Sequence, residues 1–399
     1  MENPMRAGQN RPTDVEREHT ISSGGKFPMS RRMLLSSGAA IGVAACSGPA
    51  TLIGVEATRP LTAADIETRG HKIFIATTRR RSEVEGEFFS GERGDIVSFA
   101  AVDVVVPPNH QQGQVERPKR PPVNPDKHFV ITNPTEYTNR EAFRASVNAE
   151  VRKNRSGNRD AALWIHGYNT NLTTAVLRAA QFKEDTGYDG VMVLFSWASQ
   201  AKLTGYVYDI NSALIARDFL ESVPDAVRNS SIENLDIIAH SMGNFVTMEA
   251  IRGATRRQGF NSSGKIRNII LAAPDIDIDL FTQQLRSIPK EQRRFYVLTS
   301  DDDRALSLSS KIARKPRVGQ LDPDALSSLG VNVIDLSQVE DTSSIHHNKF
   351  VDSPEIVQLI GDRILAGDEF DENGRLGLGQ SIIVGAAGGL NIVDEAVGG

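Results

Sequence analysis

The chain of 399 residues has little of three features that would point to particular classes of protein. It has one cysteine, which excludes an internal disulfide and any zinc site built from several cysteines. Its formal net charge of -5 gives no reason to expect nucleic acid as a partner. Downstream of the N-terminal region no run of about 20 apolar residues occurs, so no membrane-spanning helix is expected there.

The composition is otherwise that of a globular protein, with 39% hydrophobic and 24% charged residues. The length fits one large domain or two ordinary ones. Changes in composition divide the chain into a polar extension with an export signal (1–46), a linker (47–69), a folded domain (70–366) and a Gly-rich tail (367–399). We expect the tail to be flexible or loosely docked, because glycine at that density prevents a stable helix.

The N-terminal region carries a pattern typical of bacterial export. Two arginines follow Met29-Ser30 and precede a short apolar run over 33–45, which predicts a twin-arginine signal rather than a membrane span. The four residues 43–46 resemble a lipobox, which implies lipidation of Cys46 and an exported, membrane-anchored lipoprotein on the periplasmic or cell-surface side. Alternatively Cys46 is incidental, and without export the protein is cytoplasmic. Met29 is an alternative start codon.

The folded domain alternates strand and helix patterns. Short apolar runs without polar alternation predict strands that are covered on both faces, at 161–165, 190–197, 235–239, 266–273, 294–299 and 331–336. Segments with helical periodicity occur at 140–153, 172–184, 211–227, 244–257 and 305–313. Before the alternation, 71–78 and 96–106 predict an antiparallel pair at the sheet's edge, and 128–132 predicts a further short strand. The pattern favours an α/β fold with a mostly parallel central sheet and helices on both faces.

The segment NLDIIAHSMG, residues 234–243, predicts a strand that turns sharply into a helix with Ser241 at the turn. Such a turn exposes the serine hydroxyl above the edge of a parallel sheet, where a base can reach it. The pattern G-x-S-x-G is altered, since Ala239 occupies the position of the first glycine. Small residues are needed on both sides of the turn, and alanine is still small.

Other chemistry-bearing residues follow neighbouring strands, where ligands bind in parallel sheets. The predicted strand 161–165 is followed by His166-Gly167-Tyr168-Asn169, and 294–299 by the segment 300–306 with three aspartates. The last strand is followed by His346 and His347. The order serine, acid, histidine is that of α/β-hydrolases. A serine needs an imidazole to accept its proton, and the imidazole needs a carboxylate to orient it.

Several motifs together resemble an esterase/lipase-like α/β-hydrolase family with bacterial members. They are WIHGYNTN, VLFSW, IIAHSMGN, LAAPDID, the S-x-x-D-x-A-L pattern at 300–306 and the His-x-x-Phe-x-x-x-Pro pattern at 347–354. The resemblance covers roughly residues 70–365. It implies the α/β-hydrolase fold and a serine nucleophile, with no metal or cofactor required.

The resemblance implies a triad of Ser241 as nucleophile, Asp303 as acid and His347 as base. Competing acids remain open at Asp301, Asp302 and Asp275, and His346 is the neighbour of the proposed base. The backbone N–H groups of Tyr168 and Met242 are the expected oxyanion donors, the latter because it begins a helix. We expect His240 to point away from the serine and to be structural or pocket-lining. Ser196 and Trp197 are expected to form a cleft wall or part of the core.

The expected activity is hydrolysis of a carboxylic ester, on a small-molecule or lipid substrate. An acyltransferase or a thioesterase with the same triad is an alternative. A third possibility is a catalytically silent surface lipoprotein that uses the fold for binding. The lipid anchor would place any of these at a membrane surface.

Overall fold

The structure, a computed structural model, describes residues 49–154, 156–257, 259–340, 345–365, 381–384 and 390–393. The expected export signal and Cys46 lie outside these residues. Within the described ranges, no helix combines the length and the apolar character that crossing a membrane requires.

A single sheet of eleven strands organises the described part of the chain. The strands are β1 (Gly70–Arg81), β2 (Phe89–Val105), β3 (Val130–Tyr137), β4 (Ala161–Ile165), β5 (Val191–Ser196), β6 (Leu235–His240), β7 (Ile266–Ala272), β8 (Phe295–Thr299), β9 (Asn332–Asp335), β10 (Ser381–Val384) and β11 (Leu390–Val393). Their spatial order is β11-β10-β9-β8-β7-β6-β4-β5-β1-β2-β3. All neighbours from β10 to β1 are parallel, and the three outer pairings β10–β11, β1–β2 and β2–β3 are antiparallel.

Helices connect most of the parallel strands. They are α1 (Ala63–Arg69), α2 (Arg140–Lys153), α3 (Leu172–Asp185), α4 (Tyr206–Leu220), α5 (Val223–Arg228), α6 (Met242–Arg256), α7 (Ile278–Arg286), α8 (Arg304–Ala313), α9 (Pro323–Ser327), α10 (Lys349–Asp352) and α11 (Pro354–Leu359). Short 3₁₀ segments occur at Lys290–Gln292 and Val318–Gln320, and a π-helix follows at Ile360–Leu365.

The sheet separates two apolar cores, because successive side chains of a strand point to opposite faces. In β4, Trp164 packs with Phe182 of α3 and Phe350 of α10 on one face. Leu163 and Ile165 belong to the opposite core, with residues of α4, α6 and α7. The prediction of helices on both faces of a mostly parallel sheet is therefore confirmed.

Most predicted elements occur within one or two residues of their predicted bounds, and the exceptions are informative. The predicted helix over 211–227 is two helices, α4 and α5, since Pro224 in the first turn of α5 cannot continue a preceding helix. The antiparallel pair is present as β1–β2, but β2 begins at Phe89 instead of at 96. β3, predicted over 128–132, extends to Tyr137, lies outside this pair and is the edge strand. In the tail, β10 and β11 extend the sheet beyond β9.

Candidate active site

The predicted turn at Ser241 joins β6 to α6 directly. Ser241 has φ 53° and ψ -124°, a conformation that few residues other than glycine adopt and that costs roughly 1–3 kcal/mol. Its N–H donates to the carbonyl O of Ala272 on the neighbouring strand (3.0 Å), and its own carbonyl accepts from the Asn244 side chain (2.9 Å). The adjoining strand and helix therefore hold the strained serine in place.

Two glycines allow the chain to approach this turn closely. A Cβ added to Gly167 would lie 2.8 Å from the Cβ of Ser241, and one added to Gly243 would lie 2.5 Å from the carbonyl O of His166. Real Cβ atoms do not come so close to other atoms. The loop after β4 can therefore lie against the serine only because both positions lack a side chain. Ala239, which replaces the other expected glycine, is fully buried.

Asp303 and His347 are joined directly. The Nδ1 of His347 lies 2.6 Å from Oδ2 of Asp303, whose other oxygen accepts the N–H of Leu306 at the start of α8 (2.9 Å). Asp303 is 1% exposed, so this carboxylate is held between the histidine and the helix terminus. A carboxylate can only accept, so Nδ1 carries the proton and a neutral ring leaves Nε2 as the acceptor.

Ser241 and His347 line the same cavity of about 480 Å³. Within the described residues, no hydrogen bond joins the serine hydroxyl to the imidazole. Catalytic hydrogen bonds are often long before a substrate binds, so the absence of this bond does not argue against His347 as the base.

The adjacent aspartate, Asp302, has a different partner. Lys349, which is 2% exposed, donates to both of its oxygens at 2.8 and 2.9 Å and also to the carbonyl of Leu336 (3.0 Å). Burial acts to raise the pKa of Asp302, but the hydrogen bonds from Lys349 and Ser300 outweigh it, so that the pKa lies below its usual value. Lys349 thereby attaches the segment that carries His347 to the turn after β8.

The two other candidate acids do not contact His347. Asp275 also lines the cavity, but it accepts hydrogen bonds from Ser309 (2.5 Å) and Tyr206 (3.2 Å) and pairs with Arg317 (3.1 Å). Asp301 is exposed. The geometry therefore favours Asp303 among the four aspartates, and its role stays a prediction.

His240 lines the cavity, as expected, and lies beside the expected base. Its Nε2 donates to the carbonyl O of His347 (3.2 Å), and the two rings are 4.7 Å apart. Burial, and then the charge of His347, lowers the pKa of His240 well below its usual value. The ring therefore stays neutral and helps to position the histidine segment. His346 has its Nδ1 3.8 Å from Asp302.

Two of the backbone N–H groups in the loop after β4 have acceptors within the protein. The N–H of Asn169 donates to Asp209 (3.3 Å) and that of Thr170 to the Ser199 hydroxyl (3.1 Å). In contrast, the N–H groups of Tyr168 and Met242 have no acceptor among the described residues. Tyr168 and Ser241 line one cavity, and Met242 begins α6. Their roles as oxyanion donors stay a prediction.

A buried arginine supports this loop, and the sequence contains no signal that singles it out. Arg79 follows two threonines at the end of β1 and is 1% exposed, whereas the neighbouring Arg80 is exposed. Its guanidinium donates to the carbonyls of Thr170 (2.7 Å) and Ser199 (2.9 Å) and to the hydroxyl of Ser196 (2.8 Å). Burial lowers the pKa of Arg79 to about 10, which leaves it charged at neutral pH.

His166 fills the space between Arg79 and Trp197. Its ring stacks on the indole at a centroid distance of 5.0 Å, and the indole N–H donates to the His166 carbonyl (2.8 Å). Burial, and then the charge of Arg79, lowers the pKa of His166 to about 3. Trp197 is fully buried, so it packs behind the loop as part of the core.

The mouth of the cavity is apolar. Four exposed side chains line it, with exposed fractions from 46% to 80%: Leu203, Leu308, Ile312 and Ile345. Among the described residues, no group of three or more His, Cys, Asp or Glu side chains could hold a metal ion. The site offers a serine, an imidazole, a carboxylate and two free amides.

Comparisons with solved structures give distant similarities. The chain is 13% identical to an esterase from Pyrobaculum calidifontis over 57% of this chain and 91% of that one, with a TM-score of 0.31. For a fungal esterase from Rhizomucor miehei the identity is 12% over 77% of this chain and 91% of that one, with a TM-score of 0.32. For lipase B from Aspergillus fumigatus the identity is 13%, with coverage of 37% and 38% and a TM-score of 0.25. Similarities this low do not identify a function.

No curated protein matches the chain. One protein family does, under the description "Alpha/beta hydrolase of unknown function (DUF900)". The match extends over residues 139–363, which is more than half of the chain and includes β4, Ser241, Asp303 and His347. With this match and the mostly parallel sheet described above, the chain belongs to that family of alpha/beta hydrolases.

Proposed function

We propose that the protein is a serine hydrolase that cleaves carboxylic esters. The observation that carries the proposal is the 2.6 Å contact between His347 and Asp303 at a cavity that also contains Ser241 on its strained turn. These are the three groups that nucleophilic catalysis by serine requires, each at the carboxyl end of a strand.

The reaction would proceed through an acyl-enzyme. The hydroxyl of Ser241 attacks the ester carbonyl while Nε2 of His347 accepts its proton, and Asp303 stabilises the imidazolium. Collapse of the tetrahedral intermediate releases the alcohol, which takes the proton from His347. Water then attacks the acyl-enzyme with His347 again as the base, and the carboxylic acid leaves.

The N–H groups of Tyr168 and Met242 would bind the negative oxygen of the tetrahedral intermediate. Asp209 and Ser199 accept the amides of the two residues after Tyr168, and Arg79 holds the same loop. The donors are therefore oriented before the substrate binds, which is the condition under which such groups lower a barrier most.

A covalent probe tests this assignment. A fluorophosphonate should label the full chain, and Ser241→Ala should abolish labelling and ester hydrolysis. Ser309→Ala is a matched control, since Ser309 lines the same cavity but bonds to Asp275, and it should retain labelling. Labelling that survives Ser241→Ala would contradict the assignment. A wild-type protein that takes no probe and cleaves no short-chain ester would favour a silent binding protein.

Two variants of the reaction share the triad. Product analysis with added alcohol would identify an acyltransferase by its new ester, and a faster reaction with a thioester than with the oxygen ester would identify a thioesterase. The apolar residues at the mouth favour an uncharged group at the entrance of the cavity, as an acyl chain would provide.

We infer in addition that the enzyme works while attached to a membrane. The support is the lipobox-like sequence at 43–46 and the position of the first described residue, Pro49. The Pro49 carbonyl accepts a hydrogen bond from the side chain of Asn171, next to Thr170 at the cavity. Labelling with a fatty-acid analogue in a bacterial host should modify the protein and fail for Cys46→Ser. Equal labelling of the variant would refute the anchor.

A further inference from the structure

A second cavity adjoins the catalytic one and contains two arginines. It has a volume of about 330 Å³ and is lined by, among others, Arg117, Arg178 and Asp352. Thr174 and Arg178 on α3 line both cavities, so they form a shared wall. The charge of Arg178 also contributes to lowering the pKa of His240, which places it near the proposed base.

The two arginines differ in how their charges are compensated. Arg178 donates to the carboxylate of Asp352 (2.7 Å) and to Gln181 (2.8 Å). Arg117 donates only to neutral oxygens, the hydroxyl of Thr174 (3.0 Å) and the carbonyl of Ala50 (2.9 Å). In the part of the chain that the structure describes, no carboxylate lies within ion-pairing distance of Arg117.

Without a ligand, the positive charge of Arg117 is energetically unfavourable at this position. Burial, and then the charge of Arg178, lowers the pKa of Arg117, so its charged form is disfavoured where it stands. Two arginines and one aspartate leave one positive charge in excess at the cavity. Guanidinium groups bind carboxylates and phosphates through paired N–H donors, and such hydrogen bonds are stronger than neutral ones.

We propose that Arg117 and Arg178 form a subsite for an anionic group, carboxylate or phosphate, of the ester substrate. The ester carbonyl would lie at Ser241 and the anion at the second cavity, with Thr174 between them. This inference rests on the proposed ester hydrolysis and narrows it to esters whose acyl or alcohol part carries a negative charge. The site selects the substrate and takes no part in bond breaking.

A pair of esters with acyl chains of similar length tests the preference. The p-nitrophenyl ester of butyric acid is neutral, and the mono-p-nitrophenyl ester of glutaric acid ends in a carboxylate. Arg117→Gln should raise KM for the glutaric ester about 10-fold, the effect of losing a hydrogen bond to a charged group, with kcat unchanged. KM for the butyric ester should not change. Arg117→Lys should retain part of the preference for the glutaric ester over the butyric ester. Equal changes for both esters would mean a merely structural role and would overturn the subsite.

Arg159→Gln is the matched control, since it also removes one positive charge. Arg159 forms an exposed ion pair with Glu233 and precedes β4, so it lies at the ends of the strands opposite to the site. This substitution should change KM for neither ester. If Arg159→Gln changes KM as Arg117→Gln does, the effect comes from net charge and the subsite is refuted.

Binding of inorganic phosphate separates this proposal from the proposed activity. Calorimetry on the full-chain Ser241→Ala variant should detect phosphate binding at about 1 mM, weakened about 10-fold by adding Arg117→Gln but not by adding Arg159→Gln. No phosphate binding would overturn the subsite, while Ser241-dependent hydrolysis of the butyric ester would leave the serine hydrolase standing. Phosphate binding without any preference between the esters would show that a free anion uses the site, which overturns the assignment to substrate.

Discussion

The serine side and the acid–histidine side of the candidate site are built in different ways. Ser241 is held by backbone contacts, by close approach to Gly167 and by a loop that the buried Arg79 supports through carbonyl and hydroxyl oxygens. The other side is held by contacts between polar side chains, the hydrogen bond of His347 to Asp303 and the ion pair of Lys349 with Asp302. The first side depends on shape, and the second depends on charge. Substitutions should therefore separate them.

The largest effect is expected on the charged side. Asp303→Asn keeps the shape but replaces one of the two acceptor oxygens by a donor, so Leu306 and His347 can no longer both donate to this side chain. We expect kcat for a p-nitrophenyl ester to fall about 10⁴-fold. Thermal unfolding would check that the variant folds. Asp301→Asn, next to it but exposed, is the control and should change kcat less than about 10-fold. A small effect of Asp303→Asn together with a large effect of Asp275→Asn would move the acid to the strand before.

The next effect concerns the buried support of the serine side. Arg79→Met removes four hydrogen bonds, to oxygens of Ser90, Thr170, Ser196 and Ser199, and the free energy of unfolding in urea should fall by about 3–5 kcal/mol. Arg80→Met changes the exposed neighbour and should alter the free energy of unfolding by less than about 0.5 kcal/mol. Equal effects of the two substitutions would show that the network beneath Tyr168 has little energetic importance.

A smaller loss of stability is expected from adding one methyl group next to the turn that carries Ser241. Gly243→Ala would place a Cβ 2.5 Å from the His166 carbonyl, and overpacking of this kind costs about 1–3 kcal/mol. Fluorophosphonate labelling should slow as well, because the loop with Tyr168 has to move away. Gly259→Ala, where a Cβ would have 3.7 Å of space, should change neither quantity. Labelling at the wild-type rate would show that the loop can shift without harm to the site.

The last effect is a dependence of stability on pH. The pKa of His166 is about 3 in the folded protein and about 6.5 when unfolded, so only the unfolded chain binds a proton between these values. The depressed pKa has no effect on stability above pH 6.5. Stability should fall by about 1.4 kcal/mol per pH unit from this group as pH falls from 6.5 toward 3. Urea unfolding of wild type and His166→Gln between pH 6.5 and 5 would measure it, and an unchanged slope would contradict the assignment.

The sequence predicts those features of the fold that residues adjacent in sequence determine. The bounds of β4 and α2 follow from apolar runs and periodicity, and Ser241 from the strand–turn–helix pattern. The preference for Asp303 over Asp302 depends instead on Lys349, which approaches from a segment beyond β9. Likewise, nothing in a run of three arginines shows that Arg79 alone is buried. Contacts with residues that are distant in sequence determine which aspartate meets His347 and which arginine is buried. Sequence periodicity does not reveal such contacts.

The conformation of Ser241 has a practical consequence. Its positive φ and its contacts with Gly167 and Ala272 join three segments that are far apart in the sequence. Unfolding separates them, and the serine then becomes an ordinary hydroxyl without a base beside it. A reagent that modifies Ser241 would therefore count native molecules, one label for each folded chain. The yield of label across a urea series would trace the unfolding transition by chemistry instead of by spectroscopy.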